Sequence, residues 1–296
     1  MDSAALPSVI NADWLAARLE EPGIKVLDAS WMMPQSGRDA RAEHAAGHIP
    51  GARFFDIDLI ADERSDRTGE TGLPHMMPSP ERFAEAVGAL GVGNEDFVIL
   101  YDVHGLMSAA RAWWMFRVFG HDRVAILDGG LPAWKRAGYP VTAEPTTVAP
   151  ARFQARFRPE LVRSVEEMRD NLDSRRDQVL DARSPGRFKG DEAEPWPGRR
   201  AGHIPGSLNL PYNELLDPAN GLMRPADQLS ECFSTAGVDL SRPVVTSCGS
   251  GITAAVLALG LHLAGARDVA VYDGSWAEWG RRDDLPIERG DARRRQ

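Results

Sequence analysis

The sequence predicts an α/β protein built from two copies of one unit, each a mainly parallel sheet with helices on both faces. Three observations support this fold class. Short apolar strands alternate with helical stretches, four blocks of sequence recur in the same order, and one strand leads through a glycine turn into a helix. Strands that alternate with helices pair in parallel, and ligands then bind beyond their carboxyl ends.

The internal repeat predicts the domain organisation. The four blocks recur about 150 residues apart. They are residues 26–29 and 179–182, 46–51 and 201–206, 98–102 and 244–248, and 125–129 and 270–274. We therefore predict an N-terminal domain over residues 1–142, a linker rich in Pro, Ala and Thr over residues 143–159, and a C-terminal domain over residues 160–296.

Capping residues and apolar runs predict the individual elements. Asn11 caps a helix that extends to Glu20, and Ser79, followed by Pro80, caps a helix that extends to Leu90. Ser164 precedes the first helix of the second half. Strands are predicted at 25–29, 97–102, 124–127 and from 243, and further helices at 109–119, 226–235 and 253–263.

Composition excludes several classes of protein. The formal net charge is −9, which argues against a nucleic-acid partner. No apolar run approaches the roughly 18 residues of a membrane span, and no signal peptide is visible near Met1. The two cysteines, Cys232 and Cys248, are too few for a disulfide framework or a zinc site. We expect a cytoplasmic protein without a membrane partner.

The stretch around Cys248 is the strongest candidate for chemistry. Cys248 follows a β-branched strand and precedes a helix, and Gly249 and Gly251 flank the serine between them. Glycines let backbone N–H groups turn towards the centre of such a loop. Those donors and the positive end of the helix favour the thiolate form of the cysteine. We therefore predict that Cys248 is a nucleophile.

Other interpretations of the same stretch are weighed against this one. The Gly-x-Gly-x-x-Ala pattern that starts at Gly249, with Asp268 or Asp273 downstream, also fits a dinucleotide-binding turn. A phosphatase loop needs arginine where Ala254 stands, and a serine-hydrolase elbow needs glycine where the cysteine stands. A buried structural cysteine is the remaining alternative. In the first half Asp102 stands at the cysteine position, so we predict that the N-terminal domain is non-catalytic.

Taken together, the repeated motifs resemble a known family. Two His-Ile-Pro-Gly blocks, the loop 248–254 and the closing segment 272–279 are similar to those of two-domain rhodanese-type sulfurtransferases, from about Trp14 to about Trp279. The resemblance implies two tandem rhodanese-like domains. The neutral Gly249 and Ser250 after the cysteine are similar to the loop of 3-mercaptopyruvate sulfurtransferases, whereas thiosulfate sulfurtransferases typically carry a basic residue there.

The resemblance implies persulfide chemistry. Cys248 takes sulfur from 3-mercaptopyruvate, releases pyruvate and passes the sulfur to cyanide or to a thiol such as thioredoxin. No metal or organic cofactor is implied. The alternatives are a thiosulfate sulfurtransferase, a persulfide relay or redox protein with little turnover, and a dinucleotide-binding protein.

The same resemblance implies further site residues. Ser250, His75 and Asp58 match a serine-protease-like relay, and the backbone of Gly249, Gly251, Ile252 and Thr253 is expected to bind the sulfur. Arg187 matches a carboxylate-binding arginine, which Arg183 supports. A second substrate arginine is usual at the position of Trp196, so Arg199 and Arg200 are candidate substitutes. We predict that Cys232, in a helical stretch, is buried and inert.

Overall fold

Two compact units form the protein, which a computed structural model describes over residues 7–292. The first unit contains residues up to 62, 78–158 and 218–222, and the second contains residues 63–77, 159–217 and the chain from 223. The first half of the chain ends at Arg158, and the second half begins at Pro159. Residues 63–77 precede that division in sequence yet belong to the second unit.

A five-stranded parallel sheet forms the centre of the first unit, with strand order β1-β5-β4-β2-β3. Aliphatic and aromatic side chains of the strands and helices bury each other in its core, among them Leu15, Ile99 and Trp134. Its strands are β1 Val9–Ile10, β2 Ile24–Asp28, β3 Arg53–Phe54, β4 Phe97–Tyr101 and β5 Val124–Leu127. Its helices are α1 Ala12–Ala16, α2 Ala40–Ala46, α3 Ile57–Ile60, α4 Pro80–Ala89, α5 Ser108–Val118 and α6 Gly130–Arg136.

The second unit repeats this plan with strand order β6-β10-β9-β7-β8, again all parallel. Helix α10 is buried over most of its length beside strands β9 and β10, as its continuous apolar sequence requires. The strands are β6 Val162–Arg163, β7 Gln178–Asp181, β8 Leu208–Asn209, β9 Val244–Ser247 and β10 Val269–Tyr272. The helices are α7 Val165–Ser174, α8 Pro185–Lys189, α9 Ala226–Thr235, α10 Ala254–Leu263 and α11 Ser275–Trp279.

Equivalent hydrogen bonds in the two units confirm the duplicated fold. The indole N–H of Trp134 donates to the carbonyl of Pro140 at 2.8 Å, and that of Trp279 donates to the carbonyl of Pro286 at 2.8 Å. Isolated bridges pair His48 with Thr142 and His203 with Glu288. In each unit, these two contacts thus attach the segment that follows the last helix to the rest of the unit.

Most predicted elements occur within a residue or two of their predicted bounds. Asn11, Ser79 and Ser164 accept backbone hydrogen bonds as caps of α1, α4 and α7. Helix α1 is the exception, because it ends at Ala16 instead of Glu20. Pro22 lies just beyond and favours extended backbone before it, so residues 17–20 form turns.

The stretch predicted as a linker packs onto the first unit for much of its length. The Ala151 N–H donates to the carbonyl of Gly88, and the Arg156 N–H donates to that of Phe119, both at 2.9 Å. Phe153 is buried against the rings of Phe83 and Phe116. Within residues 7–292, no helix has the length and apolar character that a membrane crossing requires.

Candidate active site

Cys248 lies at the carboxyl end of β9, and its side chain is almost fully enclosed, with the residue 2% exposed. The backbone N–H of Gly251 donates to its Sγ atom at 3.1 Å. Gly251 has φ +85°, a left-handed conformation that glycine adopts without strain. The loop therefore turns a backbone donor onto the sulfur just before helix α10 begins.

A second turn supports the cysteine from the other side. The Cys248 N–H donates to the hydroxyl of Ser275 at 3.1 Å, and that hydroxyl donates to the carbonyl of Tyr272 at 2.9 Å. The carbonyls of Cys248 and Gly249 accept from the first turn of α11, from Trp276 N–H at 2.9 Å and Ala277 N–H at 2.7 Å. The cysteine backbone is thus bound to α11 on both its donor and acceptor sides.

Ser275 is a site residue that the sequence analysis missed. It has φ +49°, which is unfavourable for a residue with a side chain. The equivalent residue in the first unit is Gly130, at φ +52°. A comparison of the two repeats could have identified this position, because serine stands in the second repeat where the first has glycine. Serine at a backbone angle that favours glycine indicates that its side chain is needed.

The equivalent loop of the first unit contains an internal carboxylate. Asp102, fully buried, accepts backbone hydrogen bonds from His104 at 2.8 Å, Met107 at 2.8 Å and Ala109 at 2.9 Å. The N–H donors of this loop are therefore directed at a side chain of the protein itself. That the first unit is non-catalytic stays a prediction.

A buried ion network positions Arg187 in the second unit. Arg183, whose side chain is 0% exposed, donates to Asp181 at 2.7 Å and to Glu194 at 2.6 Å. Burial disfavours the guanidinium charge, but the two carboxylates outweigh it and raise the pKa of Arg183 above its ordinary value. Glu194 also accepts from Arg187 Nη2 at 2.6 Å and from its Nε at 3.3 Å. Arg183 therefore acts as a support for Glu194, which orients Arg187.

The Arg187 guanidinium lies beside the cysteine loop. A Cβ atom built on Gly249 would come within 2.8 Å of Arg187 Nη2 and 3.6 Å of Trp196 Nε1. The first distance is too short for a real contact and the second is an ordinary one, so glycine at this position leaves room for the Arg187 guanidinium. The side chain of Arg187 is 22% exposed, so its outer edge reaches solvent next to the loop.

His75 contacts the loop through a backbone atom. Its Nε2 lies 2.8 Å from the carbonyl oxygen of Ser250. Because a carbonyl only accepts, Nε2 carries a proton in this arrangement. The recorded contact is with the carbonyl of Ser250 and not with its hydroxyl. His75 has φ +35°, and two residues later the Met77 N–H donates to Asp273 at 2.7 Å.

The segment 63–77, which carries His75, is internally ordered. The Asp66 carboxylate accepts from both the N–H and the hydroxyl of Thr68 and of Thr71. The Thr71 N–H and the Thr68 hydroxyl hold the pKa of Asp66 well below its ordinary value. Further hydrogen bonds attach the segment to the second unit, from Arg199 to the carbonyl of Gly69 at 2.6 Å and from Arg281 to that of Gly72 at 3.3 Å.

Asp58 lies in the first unit, in the first turn of α3, where it accepts from the indole N–H of Trp31 at 3.0 Å. Its part in a relay with His75 remains a prediction. The hydrogen bond to Trp31 orients the carboxylate.

The two substitute arginines are engaged with backbone carbonyls. Arg199 donates to Gly69 and Pro197 and, at 3.0 Å, to Ala277. Arg200 donates to the carbonyls of Trp279, Gly280, Arg282 and Leu285 around the end of α11. A substrate would have to break such bonds to recruit Arg200, whereas the Nη2 atom of Arg199 is buried without a hydrogen-bond partner. Their roles as substrate ligands remain predictions, and the recorded contacts are those of supporting residues.

The remaining predicted positions are Ile252, Thr253 and Cys232. Ile252 is buried, and Thr253 precedes α10 without a side-chain cap. The prediction that Cys232 is buried is wrong, since it is half-buried on α9 with Sγ 3.6 Å from the carbonyl of Glu214. A short amphipathic helix leaves its flank partly accessible.

Within residues 7–292, no cluster of three or more His, Cys, Asp or Glu side chains is arranged to hold a metal ion.

The duplicated parallel α/β fold and the cysteine loop together define one class of protein with two tandem domains. The family model for the rhodanese-like domain matches residues 11–137 and 164–282, so the chain belongs to the rhodanese-like family. This agrees with the resemblance inferred from the motifs and with the two equivalent sheets.

Individual relatives cover nearly the whole chain. The chain is 46% identical to human 3-mercaptopyruvate sulfurtransferase, over 92% of this chain and 91% of the relative. It is 44% identical to the mitochondrial thiosulfate/3-mercaptopyruvate sulfurtransferase 1 of Arabidopsis thaliana, over 95% of this chain and 78% of the relative. The crystal structure of SseA from Escherichia coli, a 3-mercaptopyruvate sulfotransferase with a rhodanese fold, superposes with a TM-score of 0.82 and 39% identity. It matches 92% of this chain and all of that one.

Proposed function

We propose that this protein is a 3-mercaptopyruvate sulfurtransferase that works through a persulfide on Cys248. The observation that carries the proposal is the hydrogen bond from Gly251 N–H to Cys248 Sγ, within a loop of neutral residues beside Arg187. A sulfur anion is stabilised there by the backbone, and the partly exposed Arg187 guanidinium is available for a carboxylate. The names of the similar enzymes agree with this substrate.

In the first half-reaction, the Cys248 thiolate attacks the sulfur of 3-mercaptopyruvate. The new bond joins Sγ to that sulfur, and the bond from the sulfur to C3 of the donor breaks. Its electron pair leaves as the enolate of pyruvate, which the adjacent ketone stabilises. The enolate takes up a proton, pyruvate departs, and the protein holds a persulfide.

Two groups of this chain act on the charges in that step. The Gly251 N–H, aimed at Sγ, stabilises negative charge on the thiolate and on the persulfide. Arg187, held by Glu194, binds the donor carboxylate through its solvent-facing edge. Together they orient the donor sulfur towards Cys248.

Proton transfer to the enolate is assigned to Ser250 and His75, with Asp58 as the supporting acid. The His75 ring is held against the loop by its bond to the Ser250 carbonyl, so Nδ1 remains the basic nitrogen. In this assignment the Ser250 hydroxyl is the group that passes the proton onward. The pH dependence of kcat in the parent protein and in His75→Asn tests this assignment. We expect a bell-shaped profile in the parent protein and a flat profile in the variant.

In the second half-reaction an acceptor attacks the outer sulfur of the persulfide. Cyanide leaves as thiocyanate, and a thiol acceptor such as thioredoxin leaves as its own persulfide, which restores the Cys248 thiolate. A reducing compartment suits this cycle, and we propose the cytoplasm. The two half-reactions give ping-pong kinetics.

Thiosulfate is the second candidate donor, because one similar enzyme carries both substrates in its name. Initial rates with 3-mercaptopyruvate and with thiosulfate, using cyanide as acceptor, test the two. We expect a higher kcat/KM with 3-mercaptopyruvate, and loss of all transfer in Cys248→Ser. A higher kcat/KM with thiosulfate would refute the proposal, and a stable persulfide without turnover would favour a relay protein.

A further inference from the structure

We propose that Glu278 is a positioning residue for Cys248, which it affects by fixing the turn that carries Ser275. All three residues belong to the second unit. The inference rests on the proposed function, because it takes Cys248 as the nucleophile. It assigns a role to a buried acid that the transfer steps do not use.

The turn between β10 and α11 needs support that its own backbone does not supply. Ser275 is held at φ +49°, where a side chain is unfavourable, yet its hydroxyl accepts the Cys248 N–H at 3.1 Å. The same hydroxyl donates to the carbonyl of Tyr272 at 2.9 Å. A turn that relaxed this strain would move the hydroxyl away from the cysteine backbone. Contacts elsewhere must therefore keep the turn in place.

Glu278 contacts this turn through its side chain and through its backbone. The carboxylate accepts from the Tyr272 hydroxyl at 2.9 Å, and the Glu278 N–H donates to the carbonyl of Gly274 at 3.0 Å. A Cβ built on Gly274 would overlap the carboxylate, so the acid lies directly against the turn. Glu278 thus clamps residues 272–274 from the side of α11.

The first unit forms the equivalent turn without this clamp. The positions of Tyr272, Ser275 and Glu278 are occupied there by small or aliphatic residues, Leu127, Gly130 and Ala133. The backbone nevertheless makes the same contact with the preceding loop, since a helix N–H donates at 2.9 Å to the carbonyl of Asp102 in one unit and of Cys248 in the other. The tyrosine and the acid are therefore not needed to form the turn.

The two turns differ in the side chain that faces the loop. A Cβ on Gly130 would overlap the carbonyl of Asp102, so a serine fits the second unit only because its turn is set differently against the loop. Burial of an acid is unfavourable, and the first unit avoids it. The buried acid and its tyrosine occur together with the strained serine and the cysteine. We therefore assign them to the positioning of Cys248.

The strength of the clamp depends on the charge of Glu278. Burial raises its pKa above the ordinary value, partly opposed by the hydrogen bond from Tyr272. The nearby charges of Asp273 and Glu166 raise the pKa further, and that of Arg282 lowers it. An ionised acid accepts the tyrosine hydrogen bond more strongly than a neutral acid does. The cysteine should therefore be held best above the raised pKa and less well below it.

The test is the rate at which iodoacetamide alkylates Cys248 in the resting protein, followed by mass spectrometry of the peptides. The ratio of the rates in the parent protein and in Glu278→Gln cancels the titration of the thiol that both share. We expect this ratio to be near one at about pH 5 and to rise to about fivefold at about pH 8. Cys232 of the same molecules is the internal reference and should react equally in both proteins.

Tyrosine variants test the same hydrogen bond from its other side. At about pH 8, Tyr272→Phe should slow the alkylation of Cys248 about as much as Glu278→Gln does, and the double variant should be no slower than either. Tyr139→Phe is the matched control, because the Tyr139 hydroxyl donates to Asp13 at 2.8 Å in the first unit, and its rate should equal that of the parent protein.

Three outcomes would each overturn the inference. They are a parent-to-variant ratio that does not change with pH, as a purely structural role of Glu278 requires, additive effects in the double variant, and an equal loss in Tyr139→Phe. Alkylation needs no sulfur donor. Absence of transfer from 3-mercaptopyruvate would therefore refute the proposed function, while the alkylation rates would still decide the role of Glu278.

Discussion

Asp102 and Cys248 occupy equivalent positions at the ends of β4 and β9, and each receives backbone N–H groups of the loop that follows it. The aspartate accepts three of them, from His104, Met107 and Ala109. The cysteine sulfur accepts one, from Gly251. The equivalent loops therefore direct backbone N–H groups at an aspartate side chain in one unit and at a cysteine sulfur in the other.

Replacement of that carboxylate should destabilise the first unit. Asp102→Ala leaves three N–H groups without their acceptor in a buried loop, which costs about 3 kcal/mol of unfolding free energy. Asp102→Asn keeps one acceptor oxygen and should lose less. Urea denaturation followed by tryptophan fluorescence measures both. Equal stability of Asp102→Ala and the parent protein would contradict the role assigned to these hydrogen bonds.

Ser275 should matter more for activity than for stability. Ser275→Gly removes the acceptor of the Cys248 N–H but relieves the strain of φ +49°, so we expect a fall in kcat of about tenfold with little change in unfolding free energy. Ser275→Ala loses the same acceptor and keeps the strain, so it should be less stable than the glycine variant by about 1 kcal/mol. Unchanged kcat in both variants would show that the hydroxyl has no part in positioning the cysteine.

A methyl group on Gly249 should displace the substrate arginine. The new Cβ would lie 2.8 Å from Arg187 Nη2, so the guanidinium must move, and we expect KM for 3-mercaptopyruvate to rise about tenfold with a smaller effect on kcat. Gly23→Ala is the matched control, because nothing lies within 4 Å of its Cβ position. Steady-state kinetics of the two variants decide the point, and similar KM values would count against the placement of Arg187.

Gly69 provides a separate test of how Trp196 is held. Gly69→Ala brings a Cβ within 2.7 Å of the indole, whereas Gly37→Ala introduces one at almost the same backbone angle with nothing within 4 Å. The φ angles are +69° and +67°, so the backbone strain of the two variants is equal. We expect only Gly69→Ala to raise KM for the donor, by about fivefold or more. A similar rise in both would mean that strain, and not contact with Trp196, is responsible.

Glu278 should make stability depend on pH. Burial, partly opposed by the hydrogen bond from Tyr272, raises the pKa of Glu278 above its ordinary value. Its folded-state pKa exceeds the unfolded one, so the stability that protonation confers is present at low pH and is lost as the pH rises through the raised pKa. Glu278→Gln cannot ionise, so it should gain stability relative to the parent protein between pH 4 and pH 8.

Chemical denaturation at several pH values measures that difference. Glu231→Gln, on the exposed face of α9, is the control and should show no such trend. A difference between Glu278→Gln and the parent protein that stays constant with pH would contradict the prediction.

Local sequence signals were sufficient for much of the fold and for the prediction that Cys248 is the nucleophile. Asn11, Ser79 and Ser164 identified helix starts because capping is a short-range hydrogen bond. The Cys248 loop was recognisable because a thiol, two glycines and a helix start are contiguous. Ser275 was not predicted from the sequence, because its contact with Cys248 joins two loops that only the folded sheet brings together.

The sequence by itself determined that the chain holds two copies of a parallel α/β unit and to which family it belongs, and it predicted which unit carries a nucleophile. These properties reside in periodicity, in repeats and in contiguous motifs, all of which are local. Only the tertiary structure decided that residues 63–77 belong to the second unit, that Arg183 supports Glu194, and that Trp196 fills the space between Gly69 and Gly249. Those relationships depend on packing and on burial of charge between segments far apart in the chain, and no local pattern encodes them.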